Sequence, residues 1–537
     1  MNRRNFIRIT GASATSLLVA NYLKAAPGGS AIIQLPDEIE LLSGNKYLPL
    51  RKTDGYNWTY KDVTVKLTKL TDAVSIHIQS PSTPLTELKF SWRLPFQKQA
   101  KALGDAWERT YADLAFRSVE VPGKMPWYTV VHDQNNTTCF GVKTACNSFC
   151  SWQVSNGRLQ LNLDTRNGGD GVLLGDRTLH AADIVTTKKQ GSENVFATVR
   201  RFCRQMCDKP LTVAKPVYGI NDWYFAYGNN SADLILEHTA LLAPLATSTS
   251  NRPFSVIDDG WSQGTDYTRS NDKFPDMPKL VGQIGKLGMR SGLWTRPLLA
   301  KQGEKKNLFI KGRGEVLDPT LDENIQYIKN IFRLYKQWGF ELVKHDYTTF
   351  DIFGRWGRDM NQTMTDSGWQ FNDRSKTNAE IILNLYRNIR EAADDMYLIG
   401  CNTVSHLSAG LFEIYRIGDD TSGKEWKRTK EMGVNTMGYR MVQHRTFYEV
   451  DGDCVGLTTA VPWEKNKQWM QLLAQSSSPL FISAQTAAVG AEQKAFIKQC
   501  FDDAARPQQI AEPLDWLENQ FPSRWKLDGK VVTFDWD

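Results

Sequence analysis

The feature that most constrains this chain is a change of texture at Lys215-Pro216. Before it, short runs alternate apolar and polar residues: Val63-Thr-Val-Lys-Leu67, Val74-Ser-Ile-His-Ile78, Leu88-Lys-Phe-Ser-Trp92 and Leu159-Gln-Leu-Asn-Leu163. Turn residues separate them, as in Asn156-Gly157 and Asn167-Gly-Gly-Asp170. A period of two turns one apolar face to a core, and repeated short strands of this kind predict an antiparallel β-sandwich over residues 27–213. No catalytic set stands out in this region.

After the change, apolar strands alternate with helical stretches. Helices are expected over Ser231–Leu242, Lys279–Leu287, Leu321–Trp338 and Thr377–Asp394. The strands between and after them are Val217–Ile220, Phe254–Ile257, Ser291–Trp294, Glu341–His345, Tyr397–Cys401, Glu413–Ile417, Thr446–Val450 and Pro479–Ile482. Eight such strands predict a (β/α)8 TIM barrel over residues 214–500. The alternative is an open doubly wound sheet, but no G-x-G-x-x-G follows the first strand. Residues 501–537 end in Val531-Val-Thr-Phe-Asp-Trp536, expected as a short C-terminal β extension that adds a strand to another sheet.

A length of 537 residues is enough for two or three domains, and 41% hydrophobic with 23% charged residues is a soluble globular composition. The 17 Trp and 18 Tyr lean toward sugar binding, because flat rings cover the apolar faces of pyranoses. The net charge of +6 includes several charges at the extreme N-terminus, and no basic run suggests nucleic acid or an anionic membrane. Arg3-Arg4 before Phe6-Ile7, then a mild apolar stretch and Ala25-Ala26-Pro27, resemble a twin-arginine export signal over residues 1–26. The apolar run is too short for a membrane span. The periplasm or the cell exterior is the expected destination. The cysteine pairs Cys146/Cys150 and Cys203/Cys207 lack the histidines of a zinc site, so the eight cysteines are taken as structural, with Cys401 the exception.

A barrel carries function at the carboxyl ends of its strands. Those ends read Asn221-Asp222-Trp223, Asp258-Asp259-Gly260-Trp261, Trp294-Thr-Arg-Pro297, Lys344-His-Asp346, Cys401-Asn402, Arg416-Ile-Gly-Asp-Asp420 and Asp451-Gly-Asp453. Any one could be a helix cap, but six acidic or amide ends exceed what capping needs. In a strand, residues i and i+2 share a face, so Lys344 and Asp346 point together and His345 points away. A cation beside a carboxylate favours its ionised form. Carboxylates accept paired hydrogen bonds from vicinal hydroxyls, and two further carboxylates can run glycoside hydrolysis. A hard-metal site is the competing reading, and Lys344 and Arg416 among the ligands would repel the ion.

In this order the motifs resemble the retaining α-galactosidases of glycoside hydrolase families 27 and 36, closer to the second, over roughly residues 216–500. The resemblance implies that Asp258 and Asp259 bind the galactose O4 and O6 hydroxyls. It also implies that Trp223, Trp261, Trp294, Arg313, Lys344, Cys401 and Arg416 bind the sugar. Asp346 is then the nucleophile, and Asp420 or Asp419 is the acid/base. The implied reaction is double displacement on a terminal α-linked galactose of an oligosaccharide or polysaccharide, with no metal or organic cofactor. The chain departs from the pattern in its adjacent aspartates, in Asn402-Thr-Val-Ser-His406 where a glycine-rich stretch is usual, and in its short C-terminus. Cys401 and the loop after it would crowd an N-acetyl group, which leans toward a free 2-hydroxyl. Alternatives are an α-N-acetylgalactosaminidase, another α-glycosidase or transglycosylase, and a sugar-binding relative without catalysis. A cofactor oxidoreductase is suggested by the export signal alone.

Overall fold

The computed structural model describes residues 33–537, apart from 95, 122, 135, 156, 302, 361 and 362. The expected export signal at 1–26 lies outside the described residues. The N-terminal part forms two antiparallel sheets, one of six strands and one of nine. The predicted alternation carries through: Val63, Val65 and Leu67 of Val63–Lys69 are buried, and their neighbours are more open. Inward side chains of the two sheets meet, with the rings of Phe140 and Trp152 6.1 Å apart. A helix that the alternation does not announce, Val195–Met206, follows, with Asn194 capping it through the Ala197 N–H.

The second part is a nine-stranded parallel sheet flanked by helices. Its first six strands in chain order are Tyr218–Asn221, Phe254–Ile257, Arg290–Thr295, Leu342–His345, Tyr397–Gly400 and Ile414–Arg416. Then come Glu449–Asp451, Cys454–Leu457 and Leu480–Ala484. Glu449–Asp451 bonds to the sixth strand and Cys454–Leu457 to the last. Both edges of the curled sheet thus belong to one segment, 449–457. The seventh strand was expected at Thr446–Val450, but Thr446 sits in a turn that bonds back to Gln443; the strand starts at Glu449, and a separate strand follows Gly452-Asp453.

The helices obey their caps. Ser231 caps Ala232–Leu242 through the Leu234 N–H, and Thr377 with Glu380 forms a capping box on Asn378–Ala393. The C-terminal expectation needs correction. Residues Glu512–Pro513, Arg524–Leu527 and Lys530–Thr533 pair into a three-stranded sheet of their own instead of extending another. Trp525 and Trp536 bury beneath it, and Trp426 Nε1 donates to the Trp536 carbonyl at 2.8 Å.

One segment of the N-terminal part leaves its sheet after Lys101–Gly104 and runs to the carboxyl end of the parallel sheet. Asp105 takes bonds from the buried guanidinium of Arg440 at 2.7 Å and from Gln443 Nε2 at 2.9 Å. Thr110 N donates to the Ile417 carbonyl at 2.8 Å, and Asp419 N donates back to the Thr110 carbonyl at 2.9 Å. This stitching carries Glu108 and Arg109 onto the sheet's carboxyl end. Burying an ion pair such as Asp105–Arg440 adds little net stability, but removing one partner costs about 3–5 kcal/mol.

Candidate active site

The carboxyl ends of the parallel strands gather acids and cations into one cluster. The fourth strand stops at His345, and period two separates its last residues. His345 turns outward among Phe332, Tyr386 and Phe412, and burial pushes its pKa down to about 3, so it is neutral. Asp346 turns inward and is 8% exposed. Three N–H groups donate to it: Trp294 Nε1 to Oδ2 at 3.0 Å, and Tyr347 N at 2.7 Å and Asn402 N at 3.1 Å to Oδ1. Tyr347 holds a left-handed φ of +65°, an unusual conformation for an aromatic residue, at the point where the chain leaves the strand. An acceptor-only carboxylate suits this cradle of donors, and Oδ2 keeps acceptor capacity to spare.

Lys344 was expected to be the electrostatic partner of Asp346. Its ammonium pairs directly with Asp258, Nζ to Oδ2 at 2.8 Å, and the Asp346 charge adds a weaker attraction. Burial presses the lysine's pKa down, and Asp258 more than offsets this, so it stays charged. Asp258 also accepts from Asn221 Nδ2 at 2.8 Å and Asp259 N at 2.9 Å. Asp259 is the more open of the two and takes one bond, from Gly260 N at 2.7 Å. Burial, with Asp258 nearby, raises its pKa.

The adjacent aspartates beyond the sixth strand have different surroundings. Asp419 is gripped from both sides, by Arg109 at 2.9 Å on Oδ1 and by Arg428 at 2.8 Å on Oδ2. Asp420 is the accessible one, its side chain 38% exposed, with Arg416 at 2.8 Å and Arg109 at 3.6 Å on the same oxygen. Burial presses its pKa upward, but Arg416 and Arg109 outweigh this and hold it below the ordinary carboxylate range. Burial raises the Tyr347 pKa to about 12, and the charges of Asp346 and Asp420 add to the rise.

Several residues expected to touch a ligand do other work. Trp261 is fully buried, its Nε1 donating to the Trp294 carbonyl at 2.9 Å while its ring packs on Tyr267, Tyr335 and Trp338. It supports Trp294 from behind. Trp294 is itself nearly buried and acts through its N–H on Asp346. Arg416 has 2% of its side chain exposed and bridges Asp420 to Asp453, the latter at 2.7 Å. Cys401 is fully buried among Asp346, Arg416, Lys344 and Arg109, a floor beneath the cluster that presents no open surface to a ligand. Arg313 is not brought to the cluster: it donates to Thr365 Oγ1 at 2.6 Å and lies 4.3 Å over the Trp369 ring. Trp223 is half-buried just after the first strand, its backbone N–H donating to Asn221 Oδ1 at 2.9 Å.

Other functional groups were missed. Arg109 lies 5.1 Å over the Trp356 ring, and Trp356 and Tyr347 are half-buried aromatics at the cluster's edge. Glu108 is fully buried and bonds Tyr111, Gly357 N and Asn402. Burial raises its pKa to about 7 against the opposing pull of Arg109. The available signal was Trp107-Glu-Arg-Thr-Tyr111, which breaks the two-residue alternation of its region. All eight cysteines are buried and unpaired. Among the described residues no group of three or more His, Cys, Asp or Glu is arranged to hold a metal ion. No helix among them is long and apolar enough to cross a membrane.

Structural neighbours of this chain include α-galactosidases, among them members of family 36. An α-galactosidase from Thermus thermophilus, in complex with p-nitrophenyl α-D-galactopyranoside, matches at a TM-score of 0.62 and 15% identity, over 93% of this chain and 99% of that one. The family 36 α-galactosidase AgaA from Geobacillus stearothermophilus, in complex with 1-deoxygalactonojirimycin, matches at 0.56 and 13%, over 82% and 67%. A family 31 sulfoquinovosidase from E. rectale also matches, at 0.58 and 11%, over 92% and 83%. Identities this low establish a shared fold, and that fold serves more than one sugar. No protein-family model and no curated protein sequence matches the chain.

Proposed function

We propose that this protein is an exported retaining glycoside hydrolase that removes terminal α-galactosyl groups. In this reading the curled sheet is a (β/α)8 barrel over residues 214–500, the two antiparallel sheets form a sandwich over 27–213, and residues 501–537 cover the barrel's flank. The observation that carries the reading is Asp346 in its three-donor cradle, at the same end of the sheet as the Lys344–Asp258 pair and the accessible Asp420.

Asp346 attacks the anomeric carbon, and its second oxygen keeps the lone pair needed for the new bond. Asp420 gives a proton to the leaving oxygen and then takes one from water. Its exposure favours it for this role over Asp419, whose two oxygens are already held by arginines. Arg416 and Arg109 outweigh burial and hold Asp420 low, so proton donation favours acidic conditions. Asp259, with free acceptor capacity, and Asp258 with Lys344 suit the sugar's hydroxyls. Trp223, Tyr347 and Trp356, each half-buried, supply partly open ring surface. Because Cys401 is buried, it gives no steric reason to refuse an N-acetyl group, and the glycone has to be measured.

The deciding assay compares p-nitrophenyl α-galactoside, α-N-acetylgalactosaminide and α-glucoside, using the wild type, Asp346→Ala and Asp420→Ala. Cleavage of the galactoside alone, lost in Asp346→Ala, upholds the proposal. Preference for another α-glycoside moves it to that sugar, and binding without cleavage makes the protein a sugar-binding relative. Export is tested by fractionating cells that express the full chain or Arg3→Lys/Arg4→Lys. Retention of the variant in the cytoplasm is the expected result.

A further inference from the structure

Glu108 is among the buried carboxylates to which the reaction outlined above gives no task. Glu108 belongs to the N-terminal part, has no exposed surface, and sits beneath the candidate nucleophile's loop. Its Oε1 accepts from the Tyr111 hydroxyl and from Gly357 N at 2.6 Å. Its Oε2 accepts from Asn402 Nδ2. Asn402 is used at every polar atom: its Oδ1 accepts from Phe350 N at 3.0 Å, its carbonyl from Thr349 N at 3.1 Å, and its own N–H donates to Asp346 Oδ1 at 3.1 Å.

These bonds leave the Asn402 amide one orientation. A flip would set its NH2 against the Phe350 N–H and its oxygen against the Glu108 carboxylate. A buried polar group without its partner costs roughly 1–3 kcal/mol, so the loop has no cheap alternative. We propose that Glu108 is a positioning residue: it locks Asn402, and through the Asn402 N–H it fixes the Asp346 carboxylate for attack. The proposal rests on Asp346 being the nucleophile. It also gives the N-terminal part a role in the chemistry of a site built on another sheet.

The chemistry of the pair supplies the test. Glu108→Gln can keep its oxygen on Tyr111 and Gly357, but then turns a donor toward the Asn402 donor. Asn402→Asp turns an acceptor toward the Glu108 acceptor. The double variant Glu108→Gln/Asn402→Asp restores one donor facing one acceptor and keeps the Phe350 bond. We expect Glu108→Gln to lower kcat about 10²-fold, the scale of a small misplacement of a reacting group, with KM little changed. Asn402→Asp should lower it less, because Glu108, its pKa already raised to about 7, can take up a proton and donate to the new carboxylate. The loss should be equal on 2,4-dinitrophenyl and p-nitrophenyl α-galactosides, since a displaced nucleophile is not rescued by a better leaving group. The double variant should recover at least about tenfold of it. Wild-type kcat in Glu108→Gln, or a folded double variant no better than the worse single one, overturns the proposal. If Glu108→Gln fails to fold, the double variant decides alone. If the wild type cleaves no α-galactoside, the proposed function fails separately, and crystal structures of wild type and Glu108→Gln decide the relay. Loss of the Asn402 N–H bond to Asp346 in the variant supports it, and retention sinks it.

Discussion

The fourth and sixth strands of the parallel sheet both end in an aspartate that serves the candidate site, but they hold it differently. Asp346 is surrounded by neutral N–H donors and little water, whereas Asp420 is open to solvent and flanked by arginines. Neutral donors hold a carboxylate in place and leave its charge for a reaction. Arginines set its proton affinity, and a substrate that displaces water or shifts them resets it. The contrast suits a fixed nucleophile opposite an acid whose protonation has to change twice per turnover.

The comparison breaks first at Asp346. Asp346→Ala should abolish turnover on every α-glycoside the wild type cleaves, as followed by nitrophenol release; residual wild-type turnover would move the nucleophile elsewhere. Next, Asp420→Ala should cost about 10²–10⁴-fold in kcat on an oligosaccharide, the usual contribution of a general acid/base, and far less on a 2,4-dinitrophenyl glycoside whose leaving group needs no proton. An equal loss on both substrates would remove Asp420 from the acid role. Asp419→Asn should be milder, about tenfold in kcat, because it weakens charge-assisted bonds worth about 1.5–3 kcal/mol and leaves Asp420 in place. A larger loss than that of Asp420→Ala would reverse the assignment of the two.

The smallest effect sharpens the electrostatic half. Arg428 contributes to holding the Asp420 pKa down. Removing a cation raises a carboxyl pKa, so the acid stays protonated to higher pH. The basic limb of kcat/KM, which reports the free enzyme's acid, should therefore move upward in Arg428→Gln, by roughly a few tenths of a pH unit for this partly exposed charge. A limb that stays put or moves down would mean that Asp420 is not the group titrating.

Much of the fold was legible along the chain. The strand Phe254–Ile257 begins and ends as expected, and ten of the eleven other elements predicted after residue 216 lie within two residues of their expected bounds, helped in the helices by caps such as Ser231 and Thr377. The strand-end list also contained Asp258, Lys344, Asp346, Asp419 and Asp420, all of which come together. Trp261 misled because a tryptophan after a strand reads the same whether it faces a ligand or the core, and only its neighbours Tyr335 and Trp338 decide. Arg313 misled for a related reason: its long loop docks on Trp369, a contact without local pattern.

By itself the sequence determined the alternation of strands and helices, the ends at which chemistry gathers, and the face that Lys344 and Asp346 share. These follow from repeats two to four residues long, which neighbours along the chain impose. Only the tertiary structure decided which charges pair. Lys344 meets Asp258 across 86 positions, and Glu108 meets Asn402 across 294. A buried charge takes the partner that the packing of separate elements leaves within reach, and no local period encodes that distance.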